Sequence, residues 1–219
     1  MLTLKDIRDD ARVTSYMEMA DANLAVLGYT EHGKRHGRLT AGIAAHILKE
    51  LGYSEREQEL GAIAGYLHDI GNAINRAHHD ACSALLSEQI LFSRGMDPGE
   101  IAPIIGAVGN HDEVEGWPVS PISAALIIAD KSDVHRSRVR DKDRSLFDIH
   151  DRVNYAAEAS HIYVDASTKR ISLEIKIDVE MVSVMDYFEI FLDRMNMCRR
   201  AAKALSCDFS LYINKNRLL

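Results

Sequence analysis

The sequence lacks several features that define other classes of protein. It has 3 cysteines, Cys82, Cys198 and Cys207, an odd number without Cys-x-x-Cys spacing, which argues against a disulfide framework or a cysteine zinc site. It has no run of about 18 apolar residues, and its N-terminal stretch has no basic segment followed by an apolar one. We therefore interpret the thiols as reduced and mostly buried, and we expect a soluble, cytoplasmic protein.

Positive charge is also in the minority. The chain has 26 Lys and Arg residues against 33 Asp and Glu residues, a formal net charge of −7, which disfavours nonspecific binding to a nucleic-acid backbone. A small anionic ligand remains compatible, because bound metal ions would reverse the sign of the charge locally. We expect no nucleic-acid polymer and no membrane among its partners, and a homo-oligomer remains possible.

What is present is a long series of helical segments. The chain has 219 residues, 47% of them apolar, which is enough for a sizeable core. Ser54 with Glu57, Asp97-Pro98 and Ser120-Pro121 are typical helix starts. The apolar periodicity and these starts predict helices at 10–27, 32–51, 54–70, 76–94, 98–111, 121–137, 148–160 and 180–205.

The pattern changes to strict alternation after residue 160. Segments 161–165 and 170–177 are predicted strands, and 209–213 could supply a third. Because a two-stranded hairpin is marginal alone, this sheet should pack on the last long helix. We therefore predict a mostly α-helical fold: a helical part over 1–160, with its metal-site core at about 30–140, and a small antiparallel β appendage with a long helix over 161–219, packed on the same unit.

One His-Asp pair lies near the inward face of a predicted helix. His68 follows Ile63 and Ala64 by five and four residues, so it lies close to the apolar stripe that should face the core. Polar residues in four other segments obey the same periodicity: His36, His79, His111 and Asp130. Buried carboxylates need a charge partner, hydrogen bonds or a metal, and the sequence therefore predicts a buried metal site. Mixed nitrogen and oxygen donors favour Mn, Fe, Zn, Ni or Co over Ca or Mg.

The spacing of His36, His68-Asp69 and Asp130 resembles that of the HD superfamily of metal-dependent phosphohydrolases, all-helical enzymes named for that dipeptide. The resemblance covers about residues 30–140 and extends to the segments 79–84, 110–112 and 127–131. It implies hydrolysis of a phosphomonoester or phosphodiester in a small, nucleotide-like substrate by a metal-activated hydroxide. The set therefore predicts an enzyme.

The resemblance also implies roles for the individual residues. Asp69 would bridge two ions, held by His36, His68 and Asp130 on one side and by His79 and His111 on the other. In members with a single ion, His79 and His111 would instead be free for proton transfer. We count Asp69, His79 and His111 as catalytic residues on this basis, with one or two divalent transition-metal ions as the cofactor.

Some alternatives remain open at this level. His78 could replace its neighbour His79 as a ligand, although the helical phase favours His79. Asn72 and Asn110 stand where the cyclic-dinucleotide branch of the family has lysine and histidine, which weighs against that substrate. The main rival function is a non-catalytic HD-fold sensor or interaction module that binds a nucleotide or a partner protein. Such a module would be expected to lack metal ligands, whereas the set here looks complete.

A second group of charged residues follows Asp130. Asp133 lies one helical turn later, where it could hydrogen-bond a ligand histidine from behind or protonate the leaving group, and we include it among the catalytic candidates. The run 131–144 is rich in basic residues, and guanidinium groups match phosphate oxygens, although a solvated face explains such a run equally well. The predicted substrate-binding residues are Lys131, Arg136, Arg138 and Arg140, with Lys131 the best single candidate.

Overall fold

The computed structural model describes residues 1–141 and 143–219. Within these ranges it has nine α-helices and a four-stranded sheet; eight helices precede the first strand, and the ninth lies between the second and third strands. The mostly helical fold with a small C-terminal β appendage is confirmed. None of the described helices combines the length and apolar character needed to cross a membrane. The helices are α1 Leu4–Arg8, α2 Ala11–Val26, α3 Lys34–Glu50, α4 Glu55–Leu67, α5 His79–Ser93, α6 Pro98–Val108, α7 Pro121–Lys131, α8 Ile149–Ala156 and α9 Val184–Ala204.

Three helix starts follow directly from local chemistry. Ser54 and Glu57 form a reciprocal capping box at the start of α4. Asp97 caps α6 and Ser120 caps α7, each followed by proline at the first helical position. These side chains accept hydrogen bonds from backbone N–H groups that have no partner inside the helix, which is why the sequence located these starts correctly.

Helix ends and one short helix depart from the predictions. Helix α1 was not predicted, and the segment predicted as one helix over 121–137 is helical only to Lys131, followed by a turn and a short 3-10 helix at Arg136–Arg138. The predicted helix 148–160 ends at Ala156, because residues 157–160 pair with a neighbouring strand instead. In both segments long-range contacts override a locally plausible helix.

The sheet is mixed, so the prediction of an antiparallel sheet was wrong for one of its pairs. Its strands are β1 Ala157–Asp165, β2 Arg170–Ile177, β3 Asp208–Ile213 and β4 Asn216–Arg217, in that spatial order. The pairs β1-β2 and β3-β4 are antiparallel, whereas β2 and β3 run parallel. Helix α9 connects β2 to β3, and a strand-helix-strand crossover of this kind returns the chain in the same direction.

Close helix packing positions the functional residues. Helix α3 packs against α4 and α7, and α9 covers α7 and also contacts β3. A Cβ atom on Gly65 of α4 would lie 2.8 Å from the Cα of Ala41 in α3. The absence of a side chain at Gly65 therefore allows these two helices to approach closely. The contact lies near His36, in the first turn of α3, and His68, at the end of α4.

Candidate metal centre

The six predicted ligands come from the ends of five helices. His36 lies in the first turn of α3, His68-Asp69 follows α4, His79 begins α5, His111 follows α6, and Asp130 is in the last turn of α7. Their exposed fractions range from 0% for His36 to 9% for Asp130. Helix ends gather here because residues at an end can turn side chains away from the helix body and towards a common point.

Four donor atoms form the first group, which we call the inner cluster: His36 Nε2, His68 Nε2, Asp69 Oδ2 and Asp130 Oδ1. The two imidazole nitrogens are 3.1 Å apart. His36 Nε2 lies 3.2 Å from Asp130 Oδ1 and 3.6 Å from Asp69 Oδ2. His68 Nε2 lies 3.2 Å from Asp69 Oδ2 and 3.6 Å from Asp130 Oδ1. Tetrahedral ligands about 2.1 Å from a zinc-like ion are about 3.4 Å apart. These five separations are close to that value, and His36, His68 and Asp130 form a group of potential metal ligands whose donor atoms all lie within 4.8 Å of one another.

The other oxygen of Asp69 faces a second group, which we call the outer cluster. Asp69 Oδ1 lies 3.4 Å from His79 Nε2 and 3.8 Å from His111 Nε2, and these two nitrogens are 3.2 Å apart. Arg76 Nη1 also lies 3.2 Å from His79 Nε2, so a second ion would require this guanidinium to move. The outer cluster has three protein donors, fewer than the inner cluster, and Asp69 is common to both.

The Nδ1 atoms of the four site histidines all have acceptors. His68, His79 and His111 donate Nδ1–H to the backbone carbonyl three residues earlier, at 2.8, 3.2 and 2.6 Å, and His36 donates to Asp133 Oδ2 at 2.7 Å. Because a carbonyl oxygen can only accept, Nδ1 must hold the proton in the first three. Each ring then directs Nε2 towards the clusters, which is the arrangement of metal-binding histidines.

Asp133 lies behind His36, on the side away from the clusters. Its carboxylate also accepts from Arg35 Nη2 at 2.7 Å, and Arg138 Nη1 donates to its backbone carbonyl at 2.8 Å. Burial raises the pKa of Asp133, but Arg138, His36 and Arg35 outweigh burial and hold that pKa well below its usual range. An ionised carboxylate in this place fits the orienting role for a ligand histidine and does not fit protonation of a leaving group.

The two carboxylates at the centre favour the protonated form of His68. Burial lowers the pKa of His68, but the carboxylates of Asp69 and Asp130 outweigh burial and raise it to about 10. Burial likewise raises the pKa of each carboxyl group, yet charge partners that include His68 keep both values well below the usual range. A divalent cation bound at the inner cluster would replace this imidazolium proton.

The structure brings only part of the predicted basic run to the centre. Lys131 Nζ lies 2.6 Å from Asp130 Oδ2 and 3.3 Å from Glu113 Oε2, and it lines the site. Arg138 also lines the site, although it is buried against Asp133. Two of the four predicted substrate-binding residues thus lie at the centre, and their contact with substrate stays a prediction.

Arg136 and Arg140 are placed elsewhere. Arg136 forms an ion pair with Glu158 at 3.4 Å, and Arg140 pairs with Asp21. Neither is among the residues that line the centre. Lys142, in the same run, lies outside the described residues.

Several residues to which the sequence analysis gave no role at the site lie in or beside the centre. Arg194 of α9 pairs with Glu113 through Nε at 2.7 Å, and it lines the site together with Arg76 and His32. Asn72 donates Nδ2–H to the backbone carbonyl of Asp69 at 2.9 Å and to its Oδ1 at 3.1 Å, which orients the shared carboxylate.

The ambiguity between His78 and His79 is also resolved by position. His79 is buried, with 3% of its surface exposed, and faces Asp69. His78 is exposed, precedes α5 and has a φ of 56°. Of these two neighbours, the structure therefore places His79 at the centre.

Comparisons with known proteins agree with this geometry. Residues 34–138 match the family model described as the HD domain, and this range contains all six candidate ligands. An uncharacterized protein from Methanocaldococcus jannaschii, MJ1020, is 28% identical over 153 residues, which cover 59% of this chain and 58% of that protein. The chain thus matches little more than half the length of this relative. Helices α8 and α9 and the sheet lie beyond the segment that matches the family model.

Proposed function

We propose, from the match of residues 34–138 to the HD-domain model, that this chain is a metal-dependent phosphohydrolase. Its substrate would be a small phosphate ester, nucleotide-like in its organic part. The proposal extends the general chemistry of the family, because the matched relative is uncharacterized and its name specifies no substrate.

The division of Asp69 between two donor clusters is the observation that supports this function best. Its Oδ2 lies within 3.6 Å of His36 and 3.2 Å of His68, and its Oδ1 within 3.4 Å of His79. A carboxylate between two groups of imidazoles is suited to hold two cations side by side, an arrangement used for displacement at phosphorus. A purely structural network would not require every histidine to direct Nε2 towards the same carboxylate.

The residues of the two clusters would act as the ligands of the cations. His36, His68, Asp69 and Asp130 would hold one cation, and Asp69, His79 and His111 a second. Cations bound there would supply Lewis-acid chemistry, which lowers the pKa of water and neutralises phosphoryl charge.

The cationic side chains beside the clusters fit the phosphate oxygens that metals do not contact. Lys131, Arg76 and Arg194 line the centre. Guanidinium groups form paired, charge-assisted hydrogen bonds to such oxygens, so these side chains would orient the ester for in-line attack. Because the basic groups lie on different elements, they can surround a phosphoryl group from more than one side.

Metal analysis coupled to a phosphate-release screen tests the proposal. We expect purified protein to contain a transition metal and to release phosphate from at least one small phosphate ester. Asp69→Asn should lose activity and most of its metal, because it weakens a donor shared by both clusters. His46→Gln is the matched control for His36→Gln, because His46 lies on the same helix but is exposed; it should keep its metal while His36→Gln loses it.

The same assay separates one ion from two. His79→Gln or His111→Gln should lower the metal-to-protein ratio from about two to about one if the outer cluster holds an ion. An unchanged ratio with reduced turnover would indicate proton transfer by these histidines instead. Wild-type metal content in Asp69→Asn would contradict the site, and metal and nucleotide binding without phosphate release would favour the sensor function.

A further inference from the structure

A second cavity adjoins the metal centre, and we call it the side cleft. It lies between the segment 27–32, the start of α8 and helix α9, and its volume is about 310 Å³. His32, Arg76 and Arg194 line both the side cleft and the metal centre. The two spaces are therefore neighbours with a common wall, and a ligand held at the metal centre could extend into the cleft.

Two arginines stand at this common wall, and each is held by an aromatic ring. The guanidinium carbon of Arg76 lies 5.2 Å from the ring centre of Tyr29, and that of Arg194 lies 5.0 Å from the ring centre of Phe191. Cation–π contacts of this kind restrict where a guanidinium can move. The cleft is thus positively charged at the end that it shares with the metal centre.

The part of the cleft that is not shared has the opposite charge. Asp148 and Asp151 line it, and the structure records no ion pair for either carboxylate within residues 1–141 and 143–219. Asp148 caps α8 by accepting from the backbone N–H of Asp151 at 2.8 Å. Burial and the neighbouring Asp148 carboxylate raise the pKa of Asp151, as expected for two acidic groups placed close together.

An independent observation in the same cleft is the amide of Asn154. This residue is 5% exposed and lines the cleft. Its Nδ2 donates to the backbone carbonyl of His150 at 2.9 Å, which fixes the orientation of the amide. Its Oδ1 is buried and has no hydrogen-bond partner among the described residues. Because an unpaired buried carbonyl oxygen is costly, a ligand donor that displaced the atoms covering this oxygen would supply the hydrogen bond it lacks.

Most of the cleft lies outside the segment that defines the family. Of the residues just discussed, only Arg76 falls within 34–138. The acceptors come from α8, and the second arginine comes from α9. The family match therefore accounts for the metal centre, whereas the chemistry of the cleft belongs to additional parts of this chain.

We propose that the side cleft binds the organic part of the phosphate ester and selects substrates whose organic part has hydroxyl or ammonium donors. With the phosphate at the metal centre, these donors would reach Asp148, Asp151 and the Oδ1 of Asn154. The cleft volume lies at the lower end of small-molecule pockets, from about 300 Å³, which suits a sugar, a nucleoside or an amino alcohol. This inference rests on the proposed phosphohydrolase function, because it requires the phosphate to be held at the metals.

Selectivity among phosphate esters tests this inference in the full-length, metal-loaded protein. The probes are ribose 5-phosphate, which has hydroxyl donors, phosphoethanolamine, which has an ammonium group, and propyl phosphate, which has no donor on its organic part and the same kind of alkoxide leaving group. We expect kcat/KM for at least one donor-bearing ester to exceed that for propyl phosphate by about tenfold or more, because an ester without donors leaves the acceptors unpaired.

Variants at the acceptors should reduce this ratio. Asp151→Asn removes the charge but keeps a carbonyl acceptor, so it should reduce the kcat/KM ratio most for the ammonium ester. Asp151→Leu removes the acceptor as well, so it should also reduce the ratio for the hydroxyl ester. Asn154→Leu should lower the ratio without a loss of thermal stability comparable to that of a core variant, because the oxygen it removes has no protein partner. Asp193→Asn is the matched control: it removes the same charge from an exposed position of α9 that does not line the cleft, and it should leave the ratio unchanged.

Calorimetric titration with ribose 5-phosphate and with inorganic phosphate separates the two proposals. If no ester is hydrolysed but ribose 5-phosphate binds more tightly than phosphate, and Asp151→Leu abolishes the difference, the hydrolase proposal fails and the binding role of the cleft is supported. If esters are hydrolysed and the ratio is the same in wild type, Asp151→Leu and Asn154→Leu, the cleft inference is overturned while the hydrolase stands. Circular dichroism of each variant confirms that it is folded.

Discussion

Asp133 controls how His36 presents its Nε2 atom to the inner cluster. The carboxylate accepts from His36 Nδ1 at 2.7 Å and is itself fixed by Arg35 and Arg138. A carboxylate in this position sets the tautomer of the imidazole and strengthens it as a metal ligand. The contribution of Asp133 should therefore concern metal affinity, although the residue is not a ligand.

Replacement of Asp133 by Asn should weaken metal binding by about 10- to 100-fold. Activity should recover when the metal concentration is raised, because the catalytic groups in front of His36 are unchanged. Titration with a chromophoric metal chelator gives the affinity, and phosphate release at increasing metal gives the recovery. Should saturating metal fail to restore turnover while the fold is intact, Asp133 takes part in the chemistry after all.

A substitution of Arg194 is the best test of whether a basic residue near the centre contacts the substrate phosphate or is only a solvated charge. It lines both the metal centre and the side cleft, whereas Arg136 pairs with Glu158 away from both. Arg194→Gln should lower kcat/KM by about 1–3 kcal/mol equivalent, the scale of a lost charge-assisted hydrogen bond, with bound metal unchanged.

Two variants serve as comparisons for Arg194→Gln. Arg199→Gln changes an exposed arginine on the same helix, and Arg136→Gln tests one of the four substrate-binding residues predicted from the sequence. Both should match the wild-type kinetics. Equal losses in Arg136→Gln and Arg194→Gln would show that charge acts at long range rather than by contact.

Five of the six candidate ligands could be picked out from the sequence because each lies in helical phase beside an apolar stripe; Asp69 was added by the resemblance to the HD superfamily. His36, His68 and Asp130 are polar residues at positions that periodicity assigns to the interior, and such positions require a partner. Arg76 and Arg194 gave no such signal, since arginines at partly exposed positions are common. Arg194 is also far along the chain from the other site residues, so only the packing of α9 on α7 brings it to the centre.

At the scale of elements, the contact between a turn and a helix brings the two clusters together. The 3-10 turn Ile70–Ala73 follows Asp69 and lies directly against the first turn of α5. A Cβ atom on Gly71 would lie 2.3 Å from the backbone oxygen of His79. The backbone of this turn can therefore contact α5 because residue 71 has no side chain. This contact in turn sets the distance between Asp69 and His79.

Gly71→Ala should therefore destabilise the protein by about 1–3 kcal/mol, the usual cost of overpacking, and it should weaken metal binding. Gly42→Ala is the matched control, because Gly42 is exposed in α3 and a Cβ there would meet no atom within 4 Å. The free energy of unfolding of that variant should rise by about 0.5–1 kcal/mol, because alanine has a higher helix propensity than glycine. Urea unfolding measures both, and wild-type stability and metal content in Gly71→Ala would contradict the close approach.

The helices and strands show where the local sequence pattern is insufficient to predict the fold. The starts of α4, α6 and α7 were predictable because capping residues act within one turn. The parallel pairing of β2 and β3 follows from the crossover through α9, a rule of topology that strand alternation alone does not reveal. The strand at 157–160 could not be recognised, because its residues are compatible with a helix until β2 supplies hydrogen bonds.

At the scale of the whole molecule, the metal centre and its surroundings come from different parts of the chain. All six candidate ligands lie within 34–138, whereas α9 covers the centre from the C-terminal region. The helical part supplies donors for cations, and the C-terminal part supplies Arg194 and, with α8, the acceptors of the side cleft. The division into a helical part over 1–160 and an appendage over 161–219, packed on the same unit, stays a prediction.

The protonation of the metal-free centre links the stability of the whole protein to pH. The carboxylates around His68 outweigh burial and raise its pKa in the folded chain to about 10, above the ordinary value of 6.5. A raised pKa contributes stability that is complete below the unfolded value and is lost as pH rises through the folded value. Metal-free protein should thus become less stable as the pH rises from about 6.5 to about 10, by at most about 1.4 kcal/mol per pH unit.

Metal-loaded protein should not show this loss, because a bound cation has already displaced the proton from His68, and its metal should bind more tightly as pH rises. Urea unfolding in the presence of a chelator and in saturating Mn²⁺, at the two ends of this range, measures both trends. His68→Gln should remove the pH dependence of the metal-free protein, whereas His46→Gln, which changes an exposed histidine, should preserve it. Parallel slopes for the metal-free and metal-loaded proteins would mean that the proton and the cation do not compete for the inner cluster.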